Sequence, residues 1–387
     1  MKLQERQSPF SDYAMRDGLR RFARKLKEGR GVTVAFLGGS VTEGAGASDG
    51  ERTSYRALTC RYLTERYPLS SPKFVNAAIG GTDSVYGAFR LKEHVLRQGL
   101  PIDLLFVEFA VNDAGDRDAS VRAMEGIVRQ ARRACPDIDI CFLYTARKED
   151  VELFRTEGKE QANVDHHEEV AERYRLPSVH IAREIYRRVA AGEIGWERIS
   201  GDNVHPNDFG YALYAEFLRD FLDTALRTED GGAPEPGKET PDPAPLHPLS
   251  YAVADLRSPH EIGQAEGWEK LEDWTFEHVC YWKLPGRILF GNRIGASFRF
   301  DFYGTAVGFS MLAGIDLGNV DYSIDGGPFQ TAELFDEKCA DFYRPKIVLL
   351  ADSLAPGAHS LDIRISESRH ALSEGHAVRL LNFLVNG

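Results

Sequence analysis

Two short motifs, far apart in the sequence, contain the residue types of a nucleophilic catalyst. Gly38-Gly39-Ser40 follows an apolar run, and Asp202-Asn203-Val204-His205-Pro206 lies far downstream. A serine hydroxyl becomes a nucleophile when a base reaches it, and His205 is such a base, with the Asp202 carboxylate three residues earlier to orient its ring. Each motif alone is common in turns and at helix starts. Together they indicate acyl transfer through an acyl-serine intermediate.

Two further positions supply hydrogen-bond donors for the oxygen that becomes negative in such a reaction. Gly81 follows the apolar segment 74–79, and Asn112 follows the apolar segment 103–109. Backbone N–H groups and a side-chain amide are the donors that an oxyanion hole requires. We predict that the N–H groups of Ser40 and Gly81 and the amide of Asn112 form this hole, with Gly80 as the alternative to its neighbour.

An alternation of strands and helices must position these residues. Apolar runs predict strands over 32–37, 74–79, 103–109, 138–144 and 177–181. Helical periodicity predicts helices over 15–27, 52–67, 85–96, 120–134, 168–174 and 207–227, the last with Asn207 as its N-cap. Such alternation is typical of a doubly wound parallel sheet, whose ligands lie beyond the carboxyl ends of the strands. Ser40, Gly81 and Asn112 each follow a predicted strand and should meet at that edge.

The composition changes after residue 228 and again after residue 248. Residues 229–248 are rich in Pro and Gly, which is typical of a linker. Beyond them, apolar and polar residues alternate over 296–302, 320–324, 360–365 and 378–383, with the turn Asp325-Gly326-Gly327 after the second segment. Short alternating strands indicate an antiparallel β-sandwich or jelly roll. We therefore predict an α/β domain over 1–228, a linker over 229–248 and a β-sandwich domain over 249–387.

Charge and hydropathy exclude several classes of partner. The net charge of −12 argues against nucleic acid or an anionic membrane surface. No apolar run approaches the length of a membrane span, and residues 1–30 lack the core of a signal peptide. The five cysteines are scattered and lack CxxC spacing, so they are interpreted as free or buried thiols of a reducing compartment. We expect a cytoplasmic protein.

Two other clusters have structural interpretations that we prefer. His166-His167-Glu168-Glu169 lacks the HExxH spacing of a zinc site, so a solvated helix start is favoured over a metal site. Trp268, Trp274 and Trp282 could stack on sugar rings, but large aromatic residues more often fill a core. We expect these tryptophans to pack within or between domains.

The four motifs, in this order, resemble those of the SGNH (GDSL-like) hydrolases over about the first 225 residues. The resemblance implies a flavodoxin-like three-layer α/β/α domain in which Ser40 is the nucleophile, His205 the base and Asp202 its orienting carboxylate. The oxyanion donors would be Ser40, Gly81 and Asn112. Two residues depart from the family pattern: Gly39 stands where Asp is usual, and Ala110 stands where Gly is commoner.

The second domain resembles the β-sandwich domains that accompany some SGNH carbohydrate esterases, through the segments 302–308 and 323–327. The resemblance implies a serine esterase that removes short acyl groups, most plausibly acetyl, from a carbohydrate or glycoside. Neither a metal nor an organic cofactor is expected, and a homo-oligomer is compatible with the exposed strands. The alternatives are a lipase, thioesterase or lysophospholipase of the same family, and a non-catalytic carbohydrate-binding protein.

Overall fold

The computed structural model describes residues 10–227, 242–263, 265–275 and 284–387. By its internal contacts the chain divides into two units, Met1–Ser250 and Tyr251–Gly387. Most of the predicted linker, residues 229–241, lies outside the described residues. Residues 242–248 belong to the first unit, so the domain boundaries that composition suggests at 228 and 248 stay a prediction.

The first unit is built on a mixed sheet, of which the described residues contribute six strands. They are β1 (Tyr13–Ala14), β2 (Thr33–Gly38), β3 (Lys73–Asn76), β4 (Leu104–Glu108), β5 (Asp139–Tyr144) and β6 (Ser178–His180). β2 and β4 are buried along their whole length, as expected of central strands covered on both faces.

The strand order places the predicted site at a topological switch. The strands run β1-β6-β5-β4-β2-β3, and every pairing is parallel except the edge pair β1–β6. Without β1, the parallel strands follow the flavodoxin-like order 2-1-3-4-5. The order reverses between β2 and β4, and ligands bind in the crevice at such a reversal. Ser40 follows β2 and Asn112 follows β4, so both residues lie at this crevice.

Helices cover both faces of the sheet. They are α1 (Arg20–Lys27), α2 (Ser40–Glu43), α3 (Tyr55–Arg66), α4 (Ser84–Leu91), α5 (Arg117–Ala134), α6 (Asp150–Glu157), α7 (Ala162–Arg173), α8 (Ile181–Ala190), α9 (Trp196–Ile199) and α10 (Asp208–Ala225). α1, α3, α8 and α10 share one hydrophobic cluster with alternate residues of β2, β4 and β5. On the other face α5 packs between α4 and α7. The predicted three-layer α/β fold is confirmed.

Most predicted elements are present, with shifted ends. The helix predicted over 168–174 is the C-terminal half of α7, and a π-helical turn, Lys92–Leu96, continues α4. Asn207 is the N-cap of α10, because its side-chain oxygen accepts from the N–H groups of Phe209 and Gly210. The sequence patterns did not predict β1, α2, α6, α8 or α9.

The segment 242–250 is attached to α5 by hydrogen bonds. The buried carboxylate of Glu125 accepts from the N–H groups of Leu246 (2.6 Å) and His247 (3.0 Å). Arg122 Nε donates to the carbonyl of Leu249 (3.0 Å). These contacts explain why the end of the proline-rich segment belongs to the first unit.

The second unit consists of two antiparallel sheets. The strands are β7 (Ala254–Arg257), β8 (Ala265–Glu266), β9 (Glu269–Leu271), β10 (Ile288–Gly291), β11 (Ser297–Gly304), β12 (Ala306–Ala313), β13 (Val320–Ile324), β14 (Gln330–Ala332), β15 (Arg344–Ala351), β16 (Gly357–Ile365) and β17 (Val378–Asn386). One sheet has the order β15-β12-β17-β10-β9, with β7 also paired to β17, and the other has the order β14-β13-β16-β11-β8.

A core of aromatic and aliphatic side chains joins the two sheets. Along β11, buried residues alternate with exposed ones, as the sequence predicts for a strand with one buried face. Phe300 of β11 stacks on Phe383 of β17, with ring centroids 3.9 Å apart. The predicted antiparallel second domain is confirmed.

The structure also bears on the predictions for the tryptophans, the cysteines and membrane-spanning segments. Trp268 is buried and packs edge-on against Phe298, which confirms its interpretation as a core residue. Trp282 lies outside the described residues, as does Cys280. The four described cysteines are free thiols, as predicted. In the part of the chain that the structure describes, none of the helices is both long and apolar enough to cross a membrane.

Candidate active site

Ser40 is the first residue of α2 and directly follows the turn that ends β2. This turn requires glycine because other groups approach its backbone closely. A Cβ at Gly38 would lie 2.4 Å from Thr42 Oγ1, and a Cβ at Gly39 would lie 2.3 Å from Asn112 Oδ1. Both glycines have a steric reason to lack a side chain.

His205 and Asp202 complete a chain of hydrogen bonds with Ser40. Ser40 Oγ lies 2.8 Å from His205 Nε2, and His205 Nδ1 lies 2.7 Å from Asp202 Oδ2. The structure thus brings together the three residues that the two motifs predicted. The histidine side chain is 30% exposed and the aspartate side chain 54%, so the chain of bonds lies at the surface.

The environment of Asp202 favours its ionised form. Partial burial would raise its pKa, but the N–H groups of Val204 and His205 and the imidazole together lower the pKa of Asp202 to about 2. The two N–H groups donate to Oδ1 at 2.8 and 2.7 Å, which leaves Oδ2 to the ring. A permanently ionised carboxylate in this position can stabilise an imidazolium as it forms.

Two residues that the sequence did not indicate hold the loop of Asp202 and His205. Trp196 Nε1 donates to the carbonyl of Asp202 (2.7 Å), and Ser200 Oγ donates to the carbonyl of His205 (2.7 Å). Their targets are backbone oxygens, so no residue pattern reveals these contacts. They fix the loop from the side of α9, while Asn207 fixes it at the start of α10.

The glycine segment after β3 lies beside Ser40. A Cβ at Gly80 would lie 3.4 Å from Ser40 Cβ, and the N–H of Gly80 donates to Glu43 Oε2 (3.0 Å). Gly81 adopts a left-handed backbone conformation with φ of +71°, which glycine favours. Because Glu43 engages the N–H of Gly80, Gly81 is the better candidate for a donor to a ligand, and this role stays a prediction.

Asn112 lies against the same turn as Ser40. Its amide side chain packs on Gly39, and its Oδ1 is buried without a hydrogen-bond partner among the described residues. The backbone N–H of Asn112 donates to the carbonyl of Phe109 (2.8 Å), which fixes the turn after β4. The side-chain amide is therefore next to the nucleophile, where the prediction requires it.

A cluster of buried polar side chains surrounds Asp113, the residue that follows Asn112 in the turn after β4. Asp113 accepts from Ser84 Oγ (2.7 Å) and Ser120 Oγ (2.9 Å) and lies 2.9 Å from His167 Nε2. His167 is therefore a fully buried residue in the middle of α7, and the prediction of a solvated helix start is wrong for it. Among the described residues, no group of three or more His, Cys, Asp or Glu side chains is suited to hold a metal ion.

Glu108, at the end of β4, is a buried carboxylate under the nucleophile turn. It accepts from Thr42 Oγ1 (2.9 Å) and Thr145 Oγ1 (3.0 Å). Burial raises the pKa of Glu108, while these hydroxyl groups and the N–H of Gly39 oppose the rise. The sequence carried a signal for it, since Glu108 is a charged residue inside an otherwise apolar central strand.

Comparisons with known proteins give a family match and a similarity of fold. Residues 36–213 match the model of the GDSL-like Lipase/Acylhydrolase family. Two crystal structures of a two-domain esterase active on acetylated mannans, one co-crystallised with mannopentaose, each cover 95% of this chain with a TM-score of 0.77. They are 21% and 22% identical to it, and 94% and 95% of their own chains is covered. At such identities the likeness shows a common fold over both units.

A shorter similarity covers about half of the chain. Axe2, an acetylxylan esterase from Geobacillus stearothermophilus, is 18% identical to 52% of this chain, with 96% of its own chain covered and a TM-score of 0.41. A search of curated proteins found no match.

Proposed function

We propose that the chain is a carboxylic ester hydrolase, specifically a serine esterase acting on short-chain, principally acetyl, esters of a carbohydrate or glycoside. The match of residues 36–213 to the GDSL-like Lipase/Acylhydrolase family model supports this proposal. The observation that carries this proposal is the hydrogen-bonded chain from Ser40 through His205 to Asp202. These are the groups that a nucleophilic acyl transfer requires, in the order in which they must act.

In the proposed mechanism Ser40 Oγ attacks the ester carbonyl carbon while His205 Nε2 takes its proton. Asp202 holds the imidazole by Nδ1 and stabilises the imidazolium. The carbonyl oxygen becomes negative and accepts hydrogen bonds from the N–H groups of Ser40 and Gly81 and from the Asn112 amide.

Collapse of this tetrahedral intermediate breaks the bond to the alcohol oxygen. The imidazolium of His205 gives its proton to that oxygen, so that the sugar leaves as a neutral alcohol and the acyl group stays on Ser40. A water molecule then attacks the acyl-serine with His205 again as the base. The imidazolium of His205 returns the proton to Ser40 Oγ as the ester bond to the serine breaks, and the carboxylic acid leaves. The hydrolysis is complete without a redox step.

The choice of an acetylated sugar is supported by the two-domain esterase that acts on acetylated mannans, because its fold extends over both units of this chain. The proposal therefore includes a carbohydrate as the substrate and no membrane as a partner. The net charge of −12 favours a neutral substrate over a polyanion.

Hydrolysis of p-nitrophenyl acetate, butyrate and octanoate by the wild type and by Ser40→Ala tests the proposal. The matched control is Ser11→Ala, which changes an exposed serine next to the edge strand β1. We expect acetate to be preferred and the activity to fall by about 10⁴-fold or more in Ser40→Ala alone.

Acetate release from acetylated manno- and xylo-oligosaccharides then identifies the alcohol. Preference for octanoate would instead indicate a lipase or thioesterase. A folded wild type that binds these sugars without releasing acetate would be a binding protein. Activity retained in Ser40→Ala would refute the assignment of the nucleophile.

A further inference from the structure

Arg90, on α4, is a fully buried arginine that joins the two segments on either side of the candidate oxyanion hole. Its guanidinium donates to the carbonyl of Gly38 (3.0 Å), to the carbonyl of Ala77 and to Thr82 Oγ1 (3.3 Å). Gly38 ends the strand that leads to Ser40, and Ala77 begins the segment that leads to Gly81. A single planar group therefore fixes the distance between two of the predicted donors.

Among the described residues, the charge of this guanidinium has no ion-pair partner. All three acceptors are neutral, and no carboxylate oxygen of the described residues lies within 4.0 Å of its nitrogens. The rings of Tyr86 and Phe109 flank it, with centroids 5.8 and 5.9 Å from Cζ. A buried cation without a paired anion is costly, and most proteins avoid one.

The surrounding carboxylates act on Arg90 only from a longer distance. Burial lowers the pKa of Arg90 to about 10, and Tyr86, Asp83 and Glu43 oppose this change, so the group stays cationic at neutral pH. Burial also raises the pKa of Asp83 to about 6 and raises the pKa of Glu43, so both carboxyl groups resist ionisation more than usual. At neutral pH a pKa of about 6 still leaves Asp83 largely ionised, so this carboxylate acts on the Arg90 cation from beyond ion-pair distance.

The reaction adds a negative charge next to this region. In the proposed mechanism the ester oxygen becomes an anion between Ser40, Gly81 and Asn112, and the fixed, buried charge of Arg90 acts on it. We propose that Arg90 is a positioning residue of the oxyanion hole: it holds the Ser40 and Gly81 segments at a fixed separation, and its unpaired charge favours the tetrahedral oxyanion over the neutral ester. This inference rests on the proposed esterase function.

Steady-state kinetics of Arg90→Lys and Arg90→Met test it. Lysine keeps the positive charge but lacks the planar guanidinium that donates to three acceptors at once. Methionine removes both the charge and the hydrogen-bond donors. We expect kcat for p-nitrophenyl acetate to fall by about 10-fold in Arg90→Lys and about 100-fold in Arg90→Met, with KM changed by about twofold at most. Affinity for a boronic acid, which forms a tetrahedral anion on serine, should fall in parallel with kcat.

The matched controls are Arg122→Lys and Arg122→Met, which change another buried arginine of the same unit outside the site. They should lower the melting temperature and leave kcat unchanged. If Arg90→Met does not fold, Arg90→Lys alone tests the inference, which predicts that its kcat falls while its KM changes by about twofold at most.

Folded Arg90 variants with the kcat of the wild type would overturn the inference, as would a loss of kcat no larger than that of the Arg122 variants. A different result would refute the proposed function itself: a wild type that does not hydrolyse p-nitrophenyl esters, or a Ser40→Ala variant that still does.

Discussion

Replacing Gly39 by alanine should displace the Asn112 amide and remove it from the proposed oxyanion hole. The new Cβ would lie 2.3 Å from Asn112 Oδ1 and 2.9 Å from Cγ, whereas ordinary van der Waals contact begins at 3.4 Å. The amide must therefore move by about 1 Å, a displacement that is enough to cost about 100-fold in rate. The backbone cannot yield instead, because the N–H of Asn112 is bonded to Phe109 and the turn of Gly38 is packed on Thr42.

The loss of one oxyanion donor lowers kcat by about 10²–10³-fold, or roughly 3–4 kcal/mol of transition-state stabilisation. We expect kcat of Gly39→Ala for p-nitrophenyl acetate to fall in this range, and Gly39→Asp, which restores the residue usual in the family, to fall at least as far. The double variant Gly39→Ala/Asn112→Ala should be no slower than Asn112→Ala, because both changes remove the same donor.

The control is Gly201→Ala, in the loop next to Asp202, where an added Cβ meets no atom within 4 Å. Its kcat should match that of the wild type. A folded Gly39→Ala variant with kcat within about threefold of the wild type would refute the reasoning, since the amide would then tolerate the contact. Full additivity in the double variant would show that Gly39 and Asn112 act independently.

Three further changes test other parts of the structure. Asp202→Asn should lower kcat by about 10³–10⁴-fold at neutral pH, measured from pH 5 to 9. Because its pKa is depressed to about 2, the Asp202 carboxylate stabilises the wild-type fold at neutral pH, and this contribution is lost only as the pH falls from about 4 towards 2. Trp196→Phe removes the N–H that holds the carbonyl of Asp202 and should lower stability by about 1 kcal/mol in denaturant unfolding, with kcat reduced and KM unchanged. Phe300→Ala should cost about 3–5 kcal/mol in the same measurement, because the stacked pair with Phe383 is lost from the core; a loss below 1 kcal/mol would mean that the core refills.

The sequence predicted the layers of the first unit because its central strands have simple patterns. β2, β4 and β5 are apolar runs that end at glycine or polar residues, and burial on both faces requires such runs. α6 and α8 lacked such signals. α6 is short and highly charged, and α8 begins directly after β6, so that Ile181 was included in the predicted strand.

The residues of the candidate site also fall into two groups: those that a local sequence motif predicts, and those whose role depends on contacts between distant parts of the chain. Ser40, His205 and Asn112 could be predicted because each occupies a motif at the end of a strand or the start of a helix. Arg90, Trp196 and Glu108 could not be assigned, because their partners are backbone atoms or side chains brought close only by the fold. Local patterns thus identify the groups that we propose to react, and tertiary contacts identify those that hold them.

The hydrogen bonds between α5 and the segment 242–250 determine which changes that segment tolerates. Apart from the ion pair of Arg132 with Asp242 (3.0 Å), they reach backbone N–H and carbonyl groups, so they depend little on the side chain at Leu246, whereas proline at Leu246 or His247 would remove a required donor. By contrast, Glu125 and Arg122 make these hydrogen bonds through their own side chains, so a substitution of either residue would remove them. An isolated catalytic fragment must extend through residue 250, because one that ends at 228 would leave the buried carboxylate of Glu125 without two of its donors.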